Sequence, residues 1–141
     1  LWIVGDGSLR KSLETQVHQK NMQEQVLFLG FRIDARNLIQ LADAVVLSSD
    51  REGFPLVMVE ALQADKTMAS TKVNGVVEWL PTAYLADIGQ TDELHQAIEN
   101  ALSEQAKSDY FPLFSRAKNE LTVEAMTQQT LDIYEHLFQS K

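Results

Sequence analysis

Two carboxylates, Glu52 and Glu60, stand eight positions apart in the run Glu52-Gly53-Phe54-Pro55-Leu56-Val57-Met58-Val59-Glu60, with only glycine, proline and apolar residues between them. Proline has a fixed φ and no amide donor, which suits the first position of a helix. The preceding run Asp43 to Ser49 reads as a buried strand, so the unit is strand, loop, helix. The amides of Leu56 and Val57 would then open the helix as an anion site, at the place in an α/β sheet where ligands bind. Glu60 is expected one turn beyond Leu56 on the same face. It is the single charge between Phe54 and Ala64, so the helix should be mostly buried and the carboxylate needs a partner. An arginine or lysine from another element is one such partner. The other is a vicinal diol, because a carboxylate only accepts hydrogen bonds and has two oxygens to accept with.

Other candidates are less specific. Gly5-Asp6-Gly7 follows a strand, but Arg10 stands where a dinucleotide fingerprint needs its third glycine, so a tight turn is the expected role. Gly30-Phe31-Arg32 follows the second strand and is either a ligand loop or a plain turn. Asp50-Arg51-Glu52 places two acids in one loop, with Arg51 between them opposing a divalent ion; no metal site is assigned. His18, His95 and His136 are scattered and expected at the surface. Asn74-Gly75 is expected to be a turn that tolerates positive φ.

The elements that must carry these residues alternate. Strand Leu1 to Val4 is followed by apolar Leu9, Leu13 and Val17 at helical spacing, then strand Val26 to Leu29 and helix Asp34 to Leu41. Next come strand Ala44 to Ser48, helix Pro55 to Ala64, strand Thr67 to Thr71, a short helix Val76 to Leu80 and a small strand Tyr84 to Ala86. Such alternation predicts an α/β fold with a parallel sheet flanked by helices. From Thr91, expected as an N-cap ahead of Asp92 and Glu93, the chain reads as helix through Ala106, then Tyr110 to Glu120 and Val123 to Phe138. The last helix carries Met126, Ile133, Tyr134, Leu137 and Phe138. Residues 1–90 are thus expected to form the core and 91–141 a wholly helical C-terminal third of one domain.

The net charge of −8 and pI near 4.8 argue against nucleic acid and anionic membrane as partners, since both select clustered lysine and arginine. No apolar run approaches the roughly 20 residues that span a bilayer, and no basic, apolar leader precedes the first strand. The absence of cysteine removes disulfides and thiolate metal sites and is compatible with a reducing compartment. A cytoplasmic protein is expected. The chain opens inside a strand on Leu1, as expected of a fragment.

Taken together, the motifs resemble one family. Glu-x7-Glu with Gly-Phe-Pro after the first acid and Glu60-Ala61-Leu62 at the second resembles the donor-site signature of the retaining family 4 glycosyltransferases (glycosyl transferases group 1), which have the two-domain glycosyltransferase-B fold. Leu1 to Gly7 with Leu9-Arg10, Val26 to Gly30, Ala42-Asp43, Ser49 and the Thr71 to Glu78 loop fall in the family's order. The resemblance implies a Rossmann-like sheet in the C-terminal, nucleotide-sugar-binding half, without the N-terminal acceptor domain or the earlier arginine and lysine that hold the diphosphate. It assigns Glu52 to the donor sugar as the catalytic carboxylate, with the Gly53 and Phe54 backbone beside it, the amides of Leu56 and Val57 to the diphosphate, and Glu60 to the ribose. Phe31 and Arg32 would meet the nucleobase, largely through backbone groups.

The implied activity is retaining, metal-independent transfer of a hexosyl unit to an acceptor hydroxyl in polysaccharide or glycolipid biosynthesis. The nucleotide sugar is a substrate, no cofactor is expected, and the acceptor glycan or lipid-linked sugar is held by the missing domain. Against the family pattern, Asp65 stands where glycine usually closes the helix, Thr67 where proline enters the next strand, Val123 where tryptophan starts the last helix, and Asn74 where a glycine is more frequent. The alternatives are a noncatalytic nucleotide-binding or interaction domain on the same scaffold, and a nucleotide-sugar epimerase of related fold.

Overall fold

A computed structural model describes residues 1–139. The elements run β1 (Trp2–Val4), α1 (Arg10–Gln19), β2 (Leu27–Gly30), α2 (Ala35–Leu41), β3 (Ala44–Leu47), α3 (Leu56–Gln63), β4 (Thr67–Thr71), a 3-10 turn (Thr82–Tyr84), β5 (Leu85–Ala86), α4 (Thr91–Leu102), α5 (Glu104–Glu120) and α6 (Val123–Gln139). They form two compact units, one from Leu1 to Leu38 and one from Ile39 onward. Each has its own parallel sheet, so the expected parallel pairing is present but is divided between β1-β2 and β3-β4-β5.

In the first unit β1 pairs with β2 through Trp2 with Leu27 and Ile3 with Phe28, and the register then shifts so that Val4 faces Gly30. Gly5 and Gly30 both have positive φ, and the Gly5 amide donates to the Gly30 carbonyl at 2.8 Å. Arg10, which spoils the dinucleotide fingerprint, closes the turn instead. Its guanidinium donates to Asp6 at 3.2 Å and Glu14 at 2.8 Å and reaches the Phe28 carbonyl at 3.4 Å.

In the second unit β4 lies between β3 and β5, and all five of its residues are buried. The expectation that Asp43 to Ser49 would be the buried strand is corrected. β3 is an edge of this sheet and is only partly covered, with Val46 exposed. Met58, Ala61 and Leu62 of α3 join Met68 and Ala69 of β4, Val76, Tyr84, and Tyr110 of α5 in one core. The Tyr110 hydroxyl reaches into the sheet and donates to the Met68 carbonyl at 2.5 Å.

The two departures at the end of α3 are each compensated. Asp65 adopts positive φ, its amide donates to Leu62 O at 3.2 Å and the Lys66 amide to Ala61 O at 2.9 Å, which is a Schellman ending. Lys118 of α5 then pairs with both Asp65 carboxylate oxygens at 2.6 and 2.7 Å. Thr67, buried at the start of β4, donates its hydroxyl to Ala101 O at 2.8 Å and so satisfies a carbonyl in the last turn of α4.

Four boundary expectations are corrected. Pro55 is the N-cap of α3, with ψ at 117°, and Leu56 is its first helical residue. Thr91 is likewise the first residue of α4, after an N-cap at Gln90 that makes no side-chain cap bond. The helix expected through Ala106 breaks at Ser103, whose extended backbone is held by a hydroxyl that donates to Asn100 O at 2.6 Å and accepts from the Ala106 amide at 3.3 Å. The helix expected from Tyr110 therefore starts at Glu104 and carries Pro112 in its interior. Val76 to Leu80 is a series of turns, because the Val73 and Val76 carbonyls each serve two amides and Pro81 stops a segment too short to propagate. On α6, Met126, Ile133, Tyr134, Leu137 and Phe138 are all exposed.

One core contact makes stability depend on pH. The Tyr84 hydroxyl donates to Asp109 Oδ2 at 2.7 Å, and Gln105 donates to Oδ1 at 2.8 Å. Burial, and then the bond to Asp109, pushes the Tyr84 phenol up to about 12, while the bonds from Tyr84 and Gln105 hold the Asp109 carboxyl below its ordinary value. A phenol raised in the folded state stabilises the fold below its unfolded value of 10.0, and that contribution is lost as pH rises through 12. Melting temperature is therefore expected to fall between pH 10 and 12, and to fall less steeply in Tyr84→Phe. Equal slopes in both proteins would assign the alkaline loss to another group.

Candidate functional site

The site in the second unit is the eight-residue connection from Ser48 to Pro55 between β3 and α3. Its carboxylate is not loose. The Ser49 hydroxyl donates to Glu52 Oε1 at 2.7 Å in a partly buried setting, and the Ser49 carbonyl accepts from the Thr71 hydroxyl at 2.5 Å. Thr71 is the last residue of β4 and is buried. The loop after β4 supports the next two residues of the site. Gly75 has φ of +79°, and a Cβ placed on it would come within 2.9 Å of Phe54 Cδ2, 3.0 Å of Phe54 Cα and 3.1 Å of the Gly53 carbonyl oxygen. Two strand ends thus fix one corner: β4 and the turn beyond it hold the chain that leaves β3.

That corner runs directly into α3. Pro55 is buried, and its carbonyl accepts from the Met58 amide at 3.1 Å. The amides of Leu56 and Val57 precede the first intrahelical acceptor, as at any helix start, and Pro55 offers no side-chain oxygen to cap them. Leu56 is 73% exposed and Phe54 46%, so the helix start lies at the surface. Glu60 follows one turn later and is half-buried. Partial burial lowers the cost of a carboxylate there compared with the largely buried position expected from sequence. The structure therefore brings Glu52, Gly53, Phe54, Leu56 and Val57 into one continuous corner, with Glu60 on the helix that leaves it.

Asp50 and Arg51 are exposed, and among the described residues no three acidic or histidine side chains are grouped to hold a metal ion. His18, His95 and His136 are exposed.

The other two predicted residues belong to the first unit. Phe31 follows β2 and is 80% exposed. Arg32 is committed to Asp34, its Nε and Nη2 donating to the two carboxylate oxygens at 2.7 and 2.6 Å. This fork holds the Asp34 carboxyl below its ordinary value and raises the guanidinium further.

Sequence reasoning named Ser49 only as part of an ordered pattern, and it missed Thr71 as an anchor and Gly75 as the wall behind Phe54. The available signal was Asn74-Gly75 itself, whose demand for positive φ is met at Gly75.

Residues 1–116 match the family Glycosyl transferases group 1, and the chain belongs to that family. It is 27% identical over 142 residues to N-acetyl-alpha-D-glucosaminyl L-malate synthase of Bacillus anthracis, covering 98% of this chain and 36% of the relative. It is 26% identical to the lipopolysaccharide core biosynthesis glycosyltransferase LpsD of Rhizobium meliloti, covering 96% of this chain and 41% of that protein. Among solved structures, Anabaena HepE in complex with UDP superposes with a TM-score of 0.84 at 25% identity, over 96% of this chain and 40% of that one. The same protein has also been solved in complex with UDP-glucose. Sucrose-phosphate synthase from Thermosynechococcus elongatus, at 22% identity and a TM-score of 0.81, shows the fold alone. These neighbours have the glycosyltransferase-B fold, and the chain spans about two fifths of their length.

Proposed function

We propose that this chain is the donor-binding half of a glycosyltransferase that moves a hexosyl unit from a nucleoside-diphosphate sugar to an acceptor hydroxyl with retention at the anomeric carbon. The observation that carries the reading is the Glu52 carboxylate, held by Ser49 on a loop that runs directly into the start of α3. A phosphate placed against the Leu56 and Val57 amides meets both donors and the positive end of the helix dipole. Glu60 accepts from the ribose hydroxyls, and Glu52 from those of the transferred sugar. Phe31 and Arg32 meet the base. Departure of the nucleoside diphosphate builds negative charge on its phosphate, and donors fixed in advance at that point stabilise it.

The same proposal includes transfer without a bound metal or other cofactor, an acceptor glycan or lipid-linked sugar held elsewhere in the complete protein, and a cytoplasmic location. The UDP and UDP-glucose complexes of HepE support a nucleotide sugar as partner, and relatives such as LpsD support a role in polysaccharide or glycolipid biosynthesis. No helix among the described residues is long and apolar enough to cross a membrane.

Titrating the folded chain with UDP, GDP and ADP while following amide resonances tests this reading. Shifts are expected at Phe31, Arg32, Gly53, Phe54, Leu56, Val57 and Glu60, selective for one base and weakened in Glu60→Gln. Shifts scattered over other surfaces would sink the assignment, as would the absence of shifts with all three both in this chain and in the complete protein that supplies the upstream strand.

A further inference from the structure

We propose that Ser49 is a positioning residue for Glu52, and that Thr71 fixes Ser49 in turn, so that the aim of the sugar-facing carboxylate is set from the end of the buried strand β4. The inference rests on the reading of Glu52 given above. A glutamate on a loop has three side-chain torsions to lose, and ordering them at the moment of binding opposes binding. Here one carboxylate oxygen already accepts a charge-assisted hydrogen bond from Ser49 at 2.7 Å. A carboxylate has acceptor capacity to spare, so Oε2 can still receive a hydroxyl of the ligand.

The Ser49 hydroxyl would be of little use if its own backbone drifted. Thr71 prevents this by donating at 2.5 Å to the Ser49 carbonyl, across the parallel pairing that sets Leu47 opposite Ser70. Thr71 is itself 5% exposed and is paired on its other side with Ala86. The chain of bonds therefore runs from a rigid strand through a serine to the carboxylate, an arrangement in which the support for a functional group is built into secondary structure rather than a mobile loop.

The test uses the complete enzyme that contains this chain, with transfer kinetics and inhibition by UDP as separate readouts. Ser49→Ala is expected to lower kcat about tenfold and to leave inhibition by UDP, which lacks the sugar, within about twofold of wild type. Ser49→Thr, which keeps a hydroxyl, is expected to retain most of the rate. In a Glu52→Ala background, Ser49→Ala should cause no further loss, because the group it positions is gone. A wild-type rate in Ser49→Ala, or a full additional loss on top of Glu52→Ala, would overturn the positioning role. Glu52→Ala turning over at the wild-type rate would instead overturn the underlying reading of Glu52. If Ser49→Ala does not fold, Thr71→Val is read in the same way: a kcat loss that vanishes in the Glu52→Ala background supports the relay, and an unchanged kcat overturns it.

Discussion

Glu52→Ala in the complete enzyme is expected to lower turnover about 100-fold to 1000-fold, the range seen when one preorganised polar contact to a reacting group is removed. Affinity for the free nucleoside diphosphate should change little, since the proposed role of Glu52 is toward the sugar and the Leu56 and Val57 amides remain. Glu60→Gln should do the reverse: it mainly weakens donor binding, because an amide accepts through a single oxygen where a carboxylate offers two. Steady-state kinetics with donor varied separates the two, as a fall in kcat in one case and a rise in KM in the other. Equal, small effects from both would favour a noncatalytic nucleotide-binding domain. The same assay run with a chelator should retain its rate. A loss restored by magnesium or manganese would bring Asp50 and Glu52 back as ligands.

The second large effect is expected from Gly75→Ala. Alanine at φ of +79° is strained in any surroundings, at about 1 to 2 kcal/mol. Its methyl would also meet Phe54 and the Gly53 carbonyl at 2.9 to 3.1 Å, and two of those three contacts are backbone atoms that cannot simply rotate away. Overpacking of this kind adds about 1 to 3 kcal/mol, so a total loss of about 2 to 5 kcal/mol is expected in urea unfolding, with displaced Gly53 and Phe54 resonances. Gly89→Ala is the matched control. Gly89 has nearly the same φ, +81°, but nothing lies within 4 Å of the added methyl, so it should show the strain alone. Equal losses in the two variants would mean that the Gly75 contact does not support the corner.

Much of this was legible from spacing. The strand and helix alternation needs only local periodicity, and Asp65 was readable as a left-handed ending because aspartate tolerates the conformation that the helix end demands. Pro55 marked the start of α3 to within one residue, missing by the difference between an N-cap with extended ψ and a first helical turn. What was not legible depends on pairing. Thr71 reaches Ser49 across 22 positions only because β3 and β4 align in one particular register, and no local pattern announces a register. Gly75 is similar: the dipeptide Asn74-Gly75 predicts its φ, but its neighbour Phe54 is a tertiary fact. The division into two sheets escaped for the same reason, since alternation predicts parallel strands without saying which ones touch. Ser103 was missed differently, because a serine inside a run of helix formers reads as a weak helical residue until its hydroxyl is seen serving both neighbouring helices.

The bare N-cap of α3 carries a consequence for how this domain can be improved. Serine or aspartate at position 55 would give the helix the side-chain acceptor that Pro55 lacks, an exchange often worth about 1 kcal/mol. That acceptor would occupy the donors and the positive helix end at which a phosphate is proposed to bind, and an aspartate would add repulsion to the anion. Selection for heat resistance and selection for donor binding therefore push this one position in opposite directions, and a proline that neither caps nor competes is the residue on which they can agree.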